Sequence, residues 1–334
     1  MKLTNKFFQH PLTVTFIGLL CCALWGSATP FIKLGYEYIL PEKDVPSTIL
    51  FAGIRFFLAG ILTVIIFSAG RRKILFPKPK SWWMVALVGL FQTVVQYIFF
   101  YVGLANTSGV KGTIASGSST FFAILVSSLI FRQEKLTVKK IIACILGFVG
   151  IITVNLSGLI GEGSFAFTMN FLGDGFVILS AVSLGVSSTL IKLFSKEEDP
   201  VTISGYQFIM GGAVMIIIAF SLNGKVNLSN PVGVGILIYL SFLSAVAYSL
   251  WGILLKYNPV SKVSIFSFTT PIFGVILSEL MLTEQGGVDL FNLVLALVLV
   301  CAGILTLNLT PKTLGFSKKS KTIDEEEKPA NAEE

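Results

Sequence analysis

The chain has 334 residues, 54% of them hydrophobic and 13% charged, with a mean hydropathy of +0.82 and a formal net charge of +7. That apolar content exceeds what a soluble domain needs for its core, so lipid is the expected solvent for most of the molecule. The basic excess gathers beside apolar spans, which argues against nucleic acid as a partner and makes the charge a signal of membrane orientation.

Residues 1–12, with Lys2 and Lys6, are expected to be a cytoplasmic N-terminus. A helix needs about 20 apolar residues to cross roughly 30 Å of hydrocarbon, and ten stretches reach that length. The first, roughly 13–35, holds Trp25 and stays apolar past Gly26-Ser27-Ala28, so it is expected to remain a helix and not to be cleaved as a signal peptide. Lys33 stands near its end, beyond a break expected at Thr29-Pro30, where it either snorkels to the interface or closes a cavity toward the outside. The second span, roughly 47–69, carries Arg55 about 12 Å from its start, too deep for easy snorkelling. This arginine is expected to face the interior, pairing with polar groups or meeting an anionic substrate group. The plainer alternative is a structural arginine on helix-end carbonyls or lipid phosphate.

Basic residues crowd segment 70–81, and Trp82 and Trp83 open the third span, roughly 82–104, as interfacial anchors. Gln92, Gln96, Tyr97 and Tyr101 within it are amides and amphipathic rings that can line a partly wet pathway. The fourth span, roughly 112–131, sets Gly112, Ser116, Ser119, Ala123 and Ser127 near one face, the pattern of close helix packing. After a second basic segment, 132–140, the fifth covers roughly 138–156.

A linker, 157–171, leads to spans over roughly 172–194, 202–222, 232–255, 263–282 and 289–309. Asp174 is a favourable charge near a helix N-terminus, and Lys192 sits near the other end of the same span. Ser244, Tyr248 and Trp251 give the eighth span a polar and aromatic face. Glu279, one turn inside the ninth, and Glu284, just beyond it, are candidate proton-coupling groups, against a plain role as interfacial carboxylates. Residues 310–334 contain Asp324-Glu325-Glu326-Glu327 and read as a disordered cytoplasmic tail. Lysine and arginine gather in alternate loops, so with ten spans both termini are expected in the cytoplasm, beneath the cell membrane.

The chain also matches itself. Val110–Glu134 aligns without a gap on Val260–Glu284, and Gly150 through Asn155 falls on Gly303 through Asn308. Upstream, Gly53-Ile54-Arg55-Phe56 falls on Gly205-Tyr206-Gln207-Phe208, and Ile32-Lys33-Leu34 on Ile191-Lys192-Leu193. A repeat of five helices is odd, so the second copy enters the membrane from the other side. The expected fold is an all-α integral membrane protein of ten transmembrane helices, built as two inverted five-helix repeats over 13–156 and 172–309.

Trp25-Gly26-Ser27 followed by Lys33, the run Arg55-Phe56-Phe57-Leu58-Ala59, and Glu134 followed by Gly147 and Gly150 resemble the EamA-type members of the drug/metabolite transporter superfamily. The second copy repeats the pattern with Pro271, Glu284 and Gly303, and the resemblance covers nearly all of 13–309. It implies a cytoplasmic-membrane carrier of small metabolites or drugs, most often an exporter, coupled to an ion or metabolite gradient. Phe121 departs from the pattern, standing where the family usually has proline, and is expected to remove a kink from the fourth helix.

Catalysis has little support. The single histidine, His10, precedes the first span, and no Ser/His/Asp arrangement can be assembled within the membrane. Cys21, Cys22, Cys144 and Cys301 all fall in apolar spans, so neither a disulfide framework nor a metal site is expected, and no cofactor is implied. The expected function is secondary active transport of a small molecule, in the form of export of an amino acid, related metabolite or drug by alternating access. An importer on the same fold is the nearer rival, and a sensor, enzyme or channel the more distant one. Partners are then the lipid bilayer, the small-molecule substrate and a coupling solute such as the proton, with a monomer or homodimer equally compatible. Trp25, Lys33, Arg55, Gln92, Gln96, Tyr97, Tyr101, Tyr248 and Trp251 are the candidate substrate-binding residues.

Overall fold

The structure, a computed structural model, describes residues 2–107, 109–156, 170–282 and 290–308, with side chains at all of these except 2–5, 109, 110, 279, 282 and 308. The first copy contributes α1 (Pro11–Ile39), α2 (Val45–Arg71), α3 (Pro79–Ala105), α4 (Lys111–Ile130) and α5 (Val138–Val154). The second contributes α6 (Phe171–Phe194), α7 (Pro200–Ser221), α8 (Pro231–Tyr257), α9 (Val260–Ser278, continuing to Leu282) and α10 (Leu290–Asn308). Among the described residues nine helices are long and apolar enough to cross a membrane, and α5, at 17 residues, sits at the lower limit of length.

Helix starts follow from local chemistry. Asp44, Asp199 and Asn230 each accept a first-turn backbone N–H, from Ser47, Thr202 and Val232, and a proline opens each of these helices. Two expectations about breaks are corrected. α1 does not end or break at Thr29-Pro30 but runs through Pro30 to Ile39, since a bundle can absorb the missing N–H of a proline at membrane depth. Nor does Phe121 straighten α4. That helix is interrupted at Ser118, between Gly109–Gly117 and Ser119–Leu125, and a Gly117-Ser118 pair supplies the break that proline would have supplied. The matching stretch of α9 tightens into a 3₁₀ turn over Ile265–Thr269, so both copies are irregular at the same place.

The packing is reciprocal between copies. α1 lies against α8 and α9, while its counterpart α6 lies against α3 and α4; α2 pairs with α7, and α5 with α10. Glycines set the closest approaches. A Cβ at Gly60 would stand 2.6 Å from Gly205 O and 2.6 Å from Ile209 N, and one at Gly212 would stand 2.8 Å from Gly53 O and 2.5 Å from Phe57 N. Gly53, Phe57 and Gly60 are the repeat counterparts of Gly205, Ile209 and Gly212, so each copy meets in the other what it presents itself. The same holds for a Cβ at Gly150, which would stand 3.1 Å from Ala296 O, and one at Gly303, which would stand 2.8 Å from Ala143 O. A pseudo-two-fold axis therefore passes between α2 and α7 and between α5 and α10, as inverted repeats require. Small residues at such crossings let backbones close on each other where lipid gives no hydrophobic drive to helix association. Outward, exposed apolar side chains such as Phe16, Ile145, Ile217 and Val298 form the surface that lipid covers.

Candidate functional site

Arg55 of α2 is buried, with 3% of its surface exposed. Its Nε and Nη2 both donate to Ser244 Oγ of α8, at 3.2 and 3.0 Å. Ser244 donates onward to Leu240 O at 2.9 Å, which commits its proton away from the arginine and its lone pairs toward it. Among the described residues no carboxylate pairs with this guanidinium. The surroundings are aromatic instead: the Phe56 ring lies 5.1 Å from the guanidinium carbon, and Tyr36, Tyr97, Tyr101 and Tyr248 are near enough to feel its charge.

These rings form one connected cluster across the two copies. The hydroxyls of Tyr97 and Tyr248 lie 2.9 Å apart. Trp25 meets Tyr248 and Trp251 edge-on, with centroids 5.0 and 4.9 Å away, and its buried Nε1 has no hydrogen-bond acceptor among the described residues. Phe56 touches Tyr97 at 4.4 Å and Phe208 at 5.1 Å, Phe208 meets Tyr248 at 5.0 Å, and Tyr101 lies 6.1 Å from Tyr97. Trp25, Arg55, Tyr97, Tyr101, Tyr248 and Trp251 are thus brought together. Tyr36, Phe56 and Phe208 join them without having been singled out in the sequence. The repeat register, which sets Phe56 on Phe208 beside Arg55, was the signal that could have found two of the three.

Gln92 and Gln96 have a different setting. A π segment over Leu90–Val95 turns Gln92 and Thr93 toward α7, where Gln207 accepts from Thr93 Oγ1 at 2.7 Å and donates to Gln92 Oε1 at 3.1 Å. Phe91 O within that segment accepts from Ser183 Oγ at 2.6 Å. Gln207 is the repeat counterpart of Arg55 and is fully buried. Gln96 is also buried, with Oε1 unpartnered among the described residues. Lys33 is exposed, about 12 Å along the α1 axis from Trp25. Of the two candidate coupling groups, the Glu279 side chain and all of Glu284 lie outside the described residues.

The end of the bundle that carries the basic loops is laced by charge. Glu134, between α4 and α5, accepts from Ser127 Oγ (2.8 Å), Lys140 Nζ (2.9 Å), Ser261 N (2.9 Å) and Ser261 Oγ (2.6 Å), the last two at the start of α9. Burial raises its pKa, but the bonds from Ser261, Lys140 and Ser127 outweigh that and hold the carboxyl below its ordinary range. Glu198 is likewise lowered on balance: burial raises it, and the backbone N–H groups of Lys78 and Asp199 bring it down further. Lys192 does not reach for lipid; its Nζ donates to the carbonyls of Leu255 and Asn258 at the end of α8.

A family model described as the EamA-like transporter family matches residues 12–156 and 171–309, one copy each. The chain belongs to the EamA-like transporter family. An uncharacterized transporter of Archaeoglobus fulgidus is 26% identical over 286 residues, covering 84% of this chain and 91% of that protein. The uncharacterized transporter YyaM of Bacillus subtilis is 27% identical over 299 residues, covering 87% of this chain and 92% of its own. A solved crystal structure superposes with a TM-score of 0.71 at 18% identity, over 90% of this chain and 98% of the other, a likeness of fold. The protein is a multi-pass membrane transporter, not an enzyme.

In this EamA-like transporter the Tyr97–Tyr248 contact joins α3 of one copy to α8 of the other. A double-mutant cycle of Tyr97→Phe and Tyr248→Phe, read by thermal unfolding in detergent, is expected to give a coupling of about 0.5–1.5 kcal/mol. Additive losses would mean that the hydroxyls contribute separately.

Proposed function

We propose that the protein is a secondary carrier that moves a small metabolite or drug, in the direction of export, by alternating access. The observation that carries this reading is the placement of Arg55 and its ring cluster where the two inverted copies meet. A site built from both inverted copies can be uncovered from either side when the copies exchange conformations, and the exchange needs no nucleotide. Trp25, Arg55, Tyr97, Tyr101, Tyr248 and Trp251 are the residues assigned to the substrate, and the basic-loop end is assigned to the cytoplasm on its charge. Glu279 and Glu284 stay assigned to coupling, with the proton as the coupling ion.

Counterflow into proteoliposomes tests this, because it needs only binding and alternation. Amino acids, nucleosides, sugars and quaternary amines are offered to parent protein, with Trp251→Ala alongside. The expected result is saturable exchange of one class, weakened by the substitution. Permeation that never saturates would replace the carrier with a channel. Inside-out vesicles then read direction: uphill uptake driven by an imposed proton gradient is export, and its absence with uptake intact in right-side-out vesicles is import.

A further inference from the structure

We infer that the substrate carries a carboxylate, and that Arg55 is the group that receives it, with the apolar body of the substrate against the Trp25–Tyr97–Tyr248 rings. This rests on the carrier reading above and adds the charge class to it.

The first support is an unbalanced charge. A guanidinium stays protonated at any working pH, and its fork presents five N–H donors. Two of these meet one neutral serine hydroxyl, and the ring faces and phenols around it bring no anion. A cation held at 3% exposure without a counter-ion among the described residues is costly in a membrane bundle, and a ligand oxyanion is the partner that relieves it. The unused edge of the fork matches a carboxylate in shape as well as charge.

The repeat supplies the second support. Position 207 does in the second copy what position 55 does in the first, and there an uncharged glutamine, bonded to Thr93 and Gln92, fills the place completely. The scaffold therefore does not need a cation at this register. The charge at Arg55 serves something the scaffold does not supply. A third sign is Trp25 Nε1, a buried donor with no acceptor among the described residues, on a ring that touches Tyr248. Two under-used donors in one cluster, the Arg55 fork and Trp25 Nε1, fit a guest that brings acceptors. The same charge rejects organic cations, which the aromatic faces would otherwise welcome, because two positive charges repel strongly in a low-dielectric interior.

The test uses a matched set of three probes: 3-phenylpropanoate, 3-phenylpropanamide and 3-phenylpropylamine. Each is measured for counterflow, and for inhibition of counterflow by any solute found in the wider panel, with parent protein, Arg55→Lys and Arg55→Gln. Arg55→Gln gives position 55 the residue that its counterpart already has, which favours folding. The expected result is that the carboxylate alone exchanges or inhibits with parent protein, that Arg55→Gln raises its half-saturating concentration at least tenfold, and that Arg55→Lys falls between. Should Arg55→Gln not fold, the order of the three probes on parent protein still decides. Exchange or inhibition by the amine or amide in preference to the carboxylate would overturn the inference and leave the carrier standing. So would a carboxylate response that Arg55→Gln does not change. Silence from all three probes and from the wider panel, with protein shown to be folded, would overturn the carrier reading too.

Discussion

Replacing Glu134 with alanine is expected to lower stability by about 3–5 kcal/mol, the usual cost of removing one partner from a buried ion pair. Glu134 and Lys140 are only 9% and 12% exposed at the side chain, so solvent screens little of their attraction. The carboxylate also answers four donors, one of them a backbone N–H at the first turn of α9. Removing it strands Lys140 and the start of α9 together, and it unties Ser127 and Lys140 of one copy from Ser261 of the other. Thermal unfolding of purified protein in detergent is the measurement, with Glu134→Gln expected to lose less because it keeps shape and one acceptor. The pH dependence has a definite sign. A carboxyl held below its ordinary range contributes stability that is complete above the unfolded value of about 4.3 and is lost as pH falls through the folded value. Parent protein should therefore lose stability in acid below about pH 4.3, and Glu134→Gln should show a flatter profile over that range. An unfolding midpoint in Glu134→Ala equal to that of the parent would remove the clamp from the account.

Gly60→Leu is expected to cost about 3 kcal/mol, near the lower edge of the Glu134→Ala range, for steric reasons alone. The atoms that a side chain at Gly60 would meet first are Gly205 O and Ile209 N, both backbone and both at 2.6 Å. No rotamer change can clear them, so α2 and α7 must part. Overpacking in a closed core costs about 1–3 kcal/mol and occasionally more, and a clash with backbone belongs at the upper end. The observable is the monodisperse fraction on size exclusion and the unfolding midpoint. Gly70→Ala is the control: nothing lies within 4 Å of that position, and a change of less than about 0.5 kcal/mol is expected. Equal effects at the two glycines would mean that the α2–α7 contact is not the tight crossing described.

The spans and the repeat were legible because hydropathy and register are properties of long stretches. Arg55 was legible for the opposite reason, a single charge in an apolar run. Its surroundings were not. Phe56 and Phe208 look like any buried phenylalanine, and Ser244 takes on its role only because it lies across from Arg55, 189 positions away in sequence. Glu134 could be placed near a span end, but its tie to Ser261 crosses from one copy to the other. The expected straightening of α4 failed because Gly117-Ser118 interrupts a helix without any proline. Pro30 misled in the reverse direction, since a proline in a packed membrane helix need not end it.

The crossing of α2 and α7 has the grammar of a homodimer interface. In a two-fold dimer residue i touches j and j touches i, so one self-complementary patch closes the assembly. Gly60 on Gly205 and Gly212 on Gly53 are such a pair of contacts, written within one chain. A single five-helix polypeptide, inserted in both orientations, would bury the same surfaces against its own copy. Joining the copies in one chain fixes their one-to-one ratio and frees each to change alone, and Arg55 opposite Gln207 marks a place where they have parted.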